Sequence, residues 1–150
     1  MTEIHWDLPS PHILPTTVQA ADIDGLNHTN NAVYVAWCEQ TAWSHSQALG
    51  LDLADYQRLG RAMAITYAEY HYLQASNLGD EVLIGTWLVE AHSKLTLARQ
   101  FQVVRASDGV DLLRAKMRFA CIDINSGRPR RMPKQFIDAY GGALVSADQP

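Results

Sequence analysis

The sequence predicts an α+β fold in which a curved antiparallel β-sheet wraps around one long central helix. Residues 32–49 contain no Gly or Pro and are rich in helix formers. Residues 61–124 form four strand-like stretches that turn residues separate. The helical stretch points Val33, Trp37 and Trp43 in several directions, so it needs to be enclosed rather than laid on a surface. A strongly curved sheet encloses one helix most economically.

The first third of the chain predicts one edge strand and two helices. Pro11 and Pro15 punctuate the Thr- and Val-containing stretch His12–Ala21, which suits a strand at the edge of a sheet. The two helices follow over Asn31–Leu49 and Leu51–Leu59, and a glycine comes directly after each of them.

The remaining elements are four long strands and a closing helix. The expected strands are Arg61–Gln74, Glu81–His92, Leu95–Ser107 and Val110–Ile124, and the expected helix is Pro133–Tyr140. Strict alternation in the first of these strands puts Met63, Ile65 and Tyr67 on one face. By the same count, Glu69 and His71 share that face.

Composition and charge bound the class of protein. At 150 residues, the chain is most simply one domain, 1–150. A net charge of −4 gives no basic field for nucleic acid or anionic lipid, so we expect neither as a partner. Cys38 and Cys121 lie in separate apolar segments and are expected to be buried free thiols. Glu3, His5 and Asp7 near the start do not fit a secretory signal, so we expect a cytoplasmic protein.

The stretch from Asp24 to Tyr34 carries the most chemistry. A carboxylate, an imidazole and amides (Asp24, His28, Asn30, Asn31) precede the long helix. Carboxylate and imidazole groups activate water and orient polar substrates. The helix start also exposes unpaired backbone N–H groups, those of Asn31 and Ala32, which would stabilise an oxyanion. Capping explains the same residues: Asp24 would close the turn, and Asn30 or Asn31 would cap the helix.

This stretch resembles a known family motif. Asp22-Ile23-Asp24 is followed by Asn27-His28-Thr29-Asn30-Asn31, then by Ala32 and Tyr34. The pattern is similar to that of hotdog-fold acyl-CoA thioesterases of the hydroxybenzoyl-CoA thioesterase type. The segments 77–82 and 128–133 also resemble family segments after later strands. One position departs: the usual Gly before the His is Asn27, a residue that tolerates a left-handed backbone.

The resemblance implies an activity and a division of roles. Asp24 would act as general base or nucleophile on a thioester, with His28 orienting the substrate and the helix start at Asn31 stabilising the oxyanion. Asn30 and Tyr34 would contact the substrate, and Glu69 lies on a strand that borders the cleft in relatives. No metal or redox cofactor is implied, since coenzyme A enters as part of the substrate. Family members are homo-oligomers, dimers or tetramers, with the cleft between subunits.

Charged residues outside the motif have two interpretations each. Arg128, Arg130 and Arg131 would bind the phosphates of coenzyme A, or form a solvated strand end. Glu39 stands on an otherwise apolar helix, so it is expected to be a second catalytic acid or a structural partner of His45 or Arg61.

Two alternatives to acyl-CoA hydrolysis remain at the level of the sequence. The first alternative is hydrolysis of acyl groups from acyl carrier protein, since acyl-ACP thioesterases have a related Asp/His/Asn turn. Alternatively, the chain would bind acyl-CoA without catalysing a reaction. Substrate turnover and its dependence on Asp24 separate these cases.

Overall fold

The computed structural model describes residues 2–146 and has the predicted α+β architecture. Five strands and three helices follow one another, in the order β1 (His12–Thr17), α1 (Asn31–Ala48), α2 (Leu53–Leu59), β2 (Arg61–Tyr72), β3 (Glu81–Ser93), β4 (Thr96–Arg105), β5 (Asp111–Asp123) and α3 (Lys134–Gly142). Each element predicted from the sequence is present, with ends that differ by a few residues. No helix within residues 2–146 is long and apolar enough to cross a bilayer.

The strands form one antiparallel sheet in the order β1-β3-β4-β5-β2. β1 is therefore an edge strand, as predicted, and β2 is the opposite edge. The expected strand His12–Ala21 is too long, because the chain leaves the sheet after Thr17 and forms a single 3-10 turn over Ala20–Asp22. A capping box between Gln19 and Asp22 closes that turn.

α1 packs across one face of the sheet, with Tyr34, Trp37 and Cys38 in the main apolar core. Within one chain the helix is buried on this side only, and Ala36 and Gln40 on its other side are exposed. The predicted curved antiparallel sheet with one long helix against it is confirmed, and within one chain the five strands cover one side of that helix. Cys38 and Cys121 are buried free thiols, as expected.

The outer face of the sheet is covered by the N-terminal segment. The Trp6 ring lies over Gly85, where a Cβ atom would come within 2.6 Å of the ring. Trp87 donates a hydrogen bond from Nε1 to the carbonyl oxygen of Pro9 over 2.9 Å. Asp7 forms an ion pair with Arg114 on the same face, with 2.7 Å between Oδ2 and Nε.

A β-bulge at Thr66 changes which side chains of β2 face the helix, so the predicted faces do not hold after this residue. Before it, Met63 pairs with Cys121 and Ile65 with Phe119, all on the helix side. After it, Tyr67 pairs with Arg118 and Glu69 with Lys116. One extra residue shifts the two-residue alternation, so the side chains that follow change faces.

Glu69 and His71 therefore lie on the outer face of the sheet, away from α1. Tyr70 and Tyr72 take the helix side instead, since they pair with Ala115 and Leu113. Glu69 accepts a hydrogen bond from His71 across 3.1 Å between Oε2 and Nε2. The expectation that Glu69 and His71 share a face with Met63 and Ile65 is wrong.

Candidate functional site

The polar turn between β1 and α1 is a closed loop of backbone hydrogen bonds. The N–H of Asp24 donates to the carbonyl oxygen of His28 over 2.8 Å, and the N–H of Asn27 donates to that of Asp24 over 3.0 Å. Asn27 has a φ of 65°, in the left-handed region. The residue that departs from the family pattern thus adopts the conformation that glycine favours.

The two carboxylate oxygens of Asp24 are in different situations. Oδ1 accepts hydrogen bonds from the backbone N–H groups of Leu26 and His28, at 2.9 and 3.3 Å. Oδ2 has no hydrogen-bond partner among residues 2–146. The capping role and the catalytic role predicted for Asp24 are therefore compatible, because one oxygen holds the turn and the other is free to meet a substrate or a water molecule.

The start of α1 supplies one unpaired N–H group rather than two. Asn30 is the N-cap, and its Oδ1 accepts from the N–H of Ala32 over 2.9 Å. Its carbonyl oxygen accepts from the N–H of Val33 over 2.9 Å. The N–H of Asn31 has no protein acceptor among the described residues. The oxyanion donors expected from the sequence, Asn31 and Ala32, thus reduce to Asn31, and Asn30 acts as a cap.

His28 and Tyr34 differ in their access to a substrate. The His28 side chain is exposed and its ring has no hydrogen-bond partner in the described part of the chain. Tyr34 is buried, and its hydroxyl lies 2.7 Å from Oγ of Ser76. Ser76 also lies 2.7 Å from the hydroxyl of Thr29, so it fastens the turn to the loop after β2. Tyr34 therefore supports the site from the core, and Ser76, 42 residues away, could not be found from the local sequence.

The arginine cluster lies at the opposite end of β2 from the turn of its own chain. Arg130 pairs with Asp123 over 3.0 Å, and the carbonyl oxygen of Arg131 accepts from Nε of Arg61, the first residue of β2. The Tyr72 hydroxyl, at the other end of β2, donates to the carbonyl oxygen of Asn31 over 3.2 Å. A strand of this length spans roughly 35–40 Å. One chain therefore does not bring Arg128, Arg130 and Arg131 to its own Asp24.

A cavity of about 280 Å³ lies between the sheet and the three helices. Its walls are formed by Glu39, Ala42, Trp43, Ser46, Tyr56, Met63, Ile65, Leu97, Arg99, Met117, Phe119 and Tyr140. Glu39 is exposed at the mouth and forms no ion pair among the described residues. Its expected structural partners are engaged elsewhere, since His45 contacts Arg99 and Arg61 donates to backbone carbonyl groups.

Arg99 is the buried charge beside this cavity, with 3% of its surface exposed. Nη1 donates to Nδ1 of His45 over 2.8 Å, and Nη2 lies 3.4 Å from Oγ of Ser46. Burial and, secondarily, the Arg99 charge lower the pKa of His45 to about 4, so the ring is neutral at pH 7. Burial lowers the pKa of Arg99 to about 10, so the guanidinium stays charged. The sequence carried a signal for this group: Arg99 occupies an inward position between Leu97 and Phe101.

The family model of the thioesterase-like superfamily matches residues 18–140. A 1,4-dihydroxy-2-naphthoyl-CoA thioesterase from Synechocystis aligns with a TM-score of 0.80 at 19% identity, over 94% of this chain and 100% of that one. A Staphylococcus aureus protein in complex with CoA aligns with a TM-score of 0.83 at 17% sequence identity, over 95% of this chain and 91% of that one. A DHNA-CoA thioesterase from Staphylococcus aureus aligns with a TM-score of 0.74 at 21% sequence identity, over 87% of this chain and 83% of that one. At these identities the structural likeness establishes the hotdog fold, and the family match establishes that the chain belongs to the thioesterase-like superfamily.

Proposed function

We propose that this protein hydrolyses acyl-CoA thioesters at the polar turn before α1. The observation that carries the proposal is the free Oδ2 of Asp24 in the loop that leads to the uncapped N–H of Asn31. A carboxylate oxygen and a helix N-terminus supply a base or nucleophile and an oxyanion donor. The family supports this assignment, and relatives named as CoA thioesterases share the fold.

The reaction needs few groups. Oδ2 of Asp24 takes a proton from water, whose oxygen adds to the thioester carbonyl carbon. The N–H of Asn31 stabilises the negative oxygen that forms. Collapse of this intermediate breaks the C–S bond, and the leaving thiolate takes up a proton, giving the free acid and coenzyme A. The exposed ring of His28 orients the substrate or carries that proton.

The complete site is proposed to form between two subunits. β2 is an unpaired edge, and two copies of it would pair antiparallel about a two-fold axis. The start of α1 lies at the Tyr72 end of β2, whereas the cavity and the arginine cluster lie at the Arg61 end. Antiparallel pairing therefore sets the turn of one subunit beside the cavity and arginines of the other. Arg128 and Arg131 would then meet the phosphates of coenzyme A.

A substrate panel with a matched variant tests the proposal. Acyl- and aryl-CoA thioesters are assayed by release of free thiol from wild type, Asp24→Asn and Asp52→Asn. Asp24→Asn keeps an acceptor for the turn but loses the basic oxygen, so kcat is expected to fall roughly 100-fold or more. Asp52 also accepts a backbone N–H, at the start of α2, and serves as the control. Equal thiol release by wild type and Asp24→Asn on every substrate would contradict the proposal.

Hydrolysis of acyl carrier protein thioesters is the second candidate, and the exposed side chains of Arg128 and Arg131 favour it. Acyl carrier protein is acidic, so a basic patch would dock it. Matched acyl groups on coenzyme A and on the carrier protein decide between them. A higher kcat/KM on the carrier, lost in Arg128→Glu, would favour the carrier protein. Binding of acyl-CoA with no thiol release would instead indicate a non-catalytic module.

A further inference from the structure

The cavity beside α1 combines apolar walls with one charged group at its inner end. Trp43, Met63, Leu97, Met117 and Phe119 supply most of the wall. Arg99 is almost fully buried, whereas Ile65 and Glu39 lie exposed at the mouth. A ligand entering past Ile65 would therefore meet hydrocarbon first and the guanidinium last.

The Arg99 charge has no counter-ion among residues 2–146. No carboxylate of the described residues lies within ion-pair distance, and its neighbours are neutral groups: His45, Ser46, Tyr56 and Tyr140. His12, stacked on His45 with 4.8 Å between ring centroids, has a pKa lowered by burial and by Arg99. Two of the five guanidinium N–H groups have acceptors among the described residues.

A buried charge without a partner is costly, and an anionic ligand would remove that cost. The three remaining N–H groups form part of a planar fork that matches a carboxylate. Among the residues that line the cavity, the carboxylate is Glu39, and it is exposed at the mouth, where solvent screens it.

We propose that Arg99 binds a carboxylate at the far end of the acyl group, so that the preferred substrates are ω-carboxyacyl-CoA thioesters. This inference rests on the proposed thioesterase function. The apolar walls hold the methylene chain, and Arg99 selects acyl groups that end in a carboxylate over those that end in a methyl group.

Substrates matched in chain length test this selection. Adipoyl-, suberoyl- and sebacoyl-CoA are compared with hexanoyl-, octanoyl- and decanoyl-CoA by kcat/KM, so that the coenzyme A phosphates are common to each pair. Wild type should favour the carboxylate by tenfold or more at the best length. In Arg99→Met this ratio should fall roughly 10- to 100-fold, and Arg99→Lys should retain part of it.

Absence of a preference at every length, or an unchanged ratio in Arg99→Met, overturns the proposal. An equal preference for ω-hydroxyacyl-CoA also overturns it, because a neutral oxygen would then suffice. The comparison within wild type needs no variant, so it decides the question even if Arg99→Met does not fold.

Binding separates this inference from the proposed function. Calorimetric titration of Asp24→Asn with adipoyl- and hexanoyl-CoA measures selection without turnover. Tighter binding of adipoyl-CoA combined with no thiol release by wild type supports the role of Arg99 and defeats the hydrolase assignment. Thiol release by wild type, with no preference for the carboxylate-ending acyl group in turnover or in binding, supports the hydrolase assignment and defeats the role of Arg99.

Discussion

At the scale of single residues, the contact between Arg99 and His45 fixes a protonation state. Nδ1 of His45 accepts a hydrogen bond from the guanidinium, so the nitrogen must be unprotonated. Protonation would place two positive groups 2.8 Å apart in a partly buried site. The neutral ring therefore accepts from Arg99 and leaves the guanidinium charge uncompensated.

The depressed pKa of His45 predicts a loss of stability in mild acid. The pKa of the ring is about 4 in the folded protein and close to the ordinary histidine value of 6.5 when the chain is unfolded. Between these pH values the unfolded chain binds more protons, so His45 contributes stability that is present above pH 6.5 and lost as the pH falls towards 4. The free energy of unfolding, measured with urea from pH 7.5 to 4.5, should fall more for wild type than for His45→Asn. The same substitution at exposed His5 is the control, and parallel curves for wild type and His45→Asn would contradict the prediction.

At the scale of elements, β2 carries the exposed apolar surface that a partner would cover. Ile65 is 50% exposed and Tyr67 47%, on an edge strand whose backbone is unpaired along one side. β1 is the other edge, but it is half as long and contains Pro15, which cannot donate a hydrogen bond. Self-association is therefore expected at β2.

Ile65→Lys should prevent the proposed pairing of two β2 strands without unfolding the chain, because the side chain is half exposed in one chain and a β2-paired partner would cover it. Sedimentation velocity gives the mass, and circular dichroism confirms the fold. Ile13→Lys is the matched control, since Ile13 is 39% exposed on the β1 edge. If both variants change the mass equally, β2 is not the interface.

The helices, strands and side chains that could be predicted from the sequence are those determined by local patterns. α1 was placed within one residue of its ends, because a Gly-free apolar stretch and the Asn30 cap are both local signals. Asp24 and Asn31 were predicted as site residues from the same kind of local pattern, and their roles stay a prediction. The face of Glu69 was not predicted, because the bulge at Thr66 depends on pairing with β5. The cavity was missed for a similar reason: Arg99 meets His45 only through the packing of β4 against α1.

At the scale of the whole molecule, the parts of the proposed site lie at opposite ends of β2, the turn near Tyr72 and the arginine cluster near Arg61. Asn31 and Ser46 are roughly 22 Å apart along α1. The turn of one chain is therefore too far from its own Arg99 to share a short acyl group, whereas the turn of a β2-paired partner would lie at the cavity mouth.

Mixing two inactive variants tests this shared site. Asp24→Asn loses the carboxylate, and Ala42→Trp fills the cavity. After joint refolding, a mixed dimer contains one site with an intact turn facing an open cavity, so activity should recover to about a quarter of wild type by random pairing. Met63→Trp is a second cavity-filling variant in case Ala42→Trp does not fold. A mixture no more active than its separate components would place the whole site within one chain.

The bulge at Thr66 has a consequence for comparing this chain with its relatives. A relative that lacks the extra residue aligns correctly only with a one-residue gap at Thr66; without that gap, every later position of β2 would be assigned to the wrong side of the sheet. Deleting Thr66 here would join Ile65 directly to Tyr67, whose partners Phe119 and Arg118 are already consecutive, so the bulge would disappear while Glu69 stays on the outer face and the Tyr72 hydroxyl stays beside Asn31.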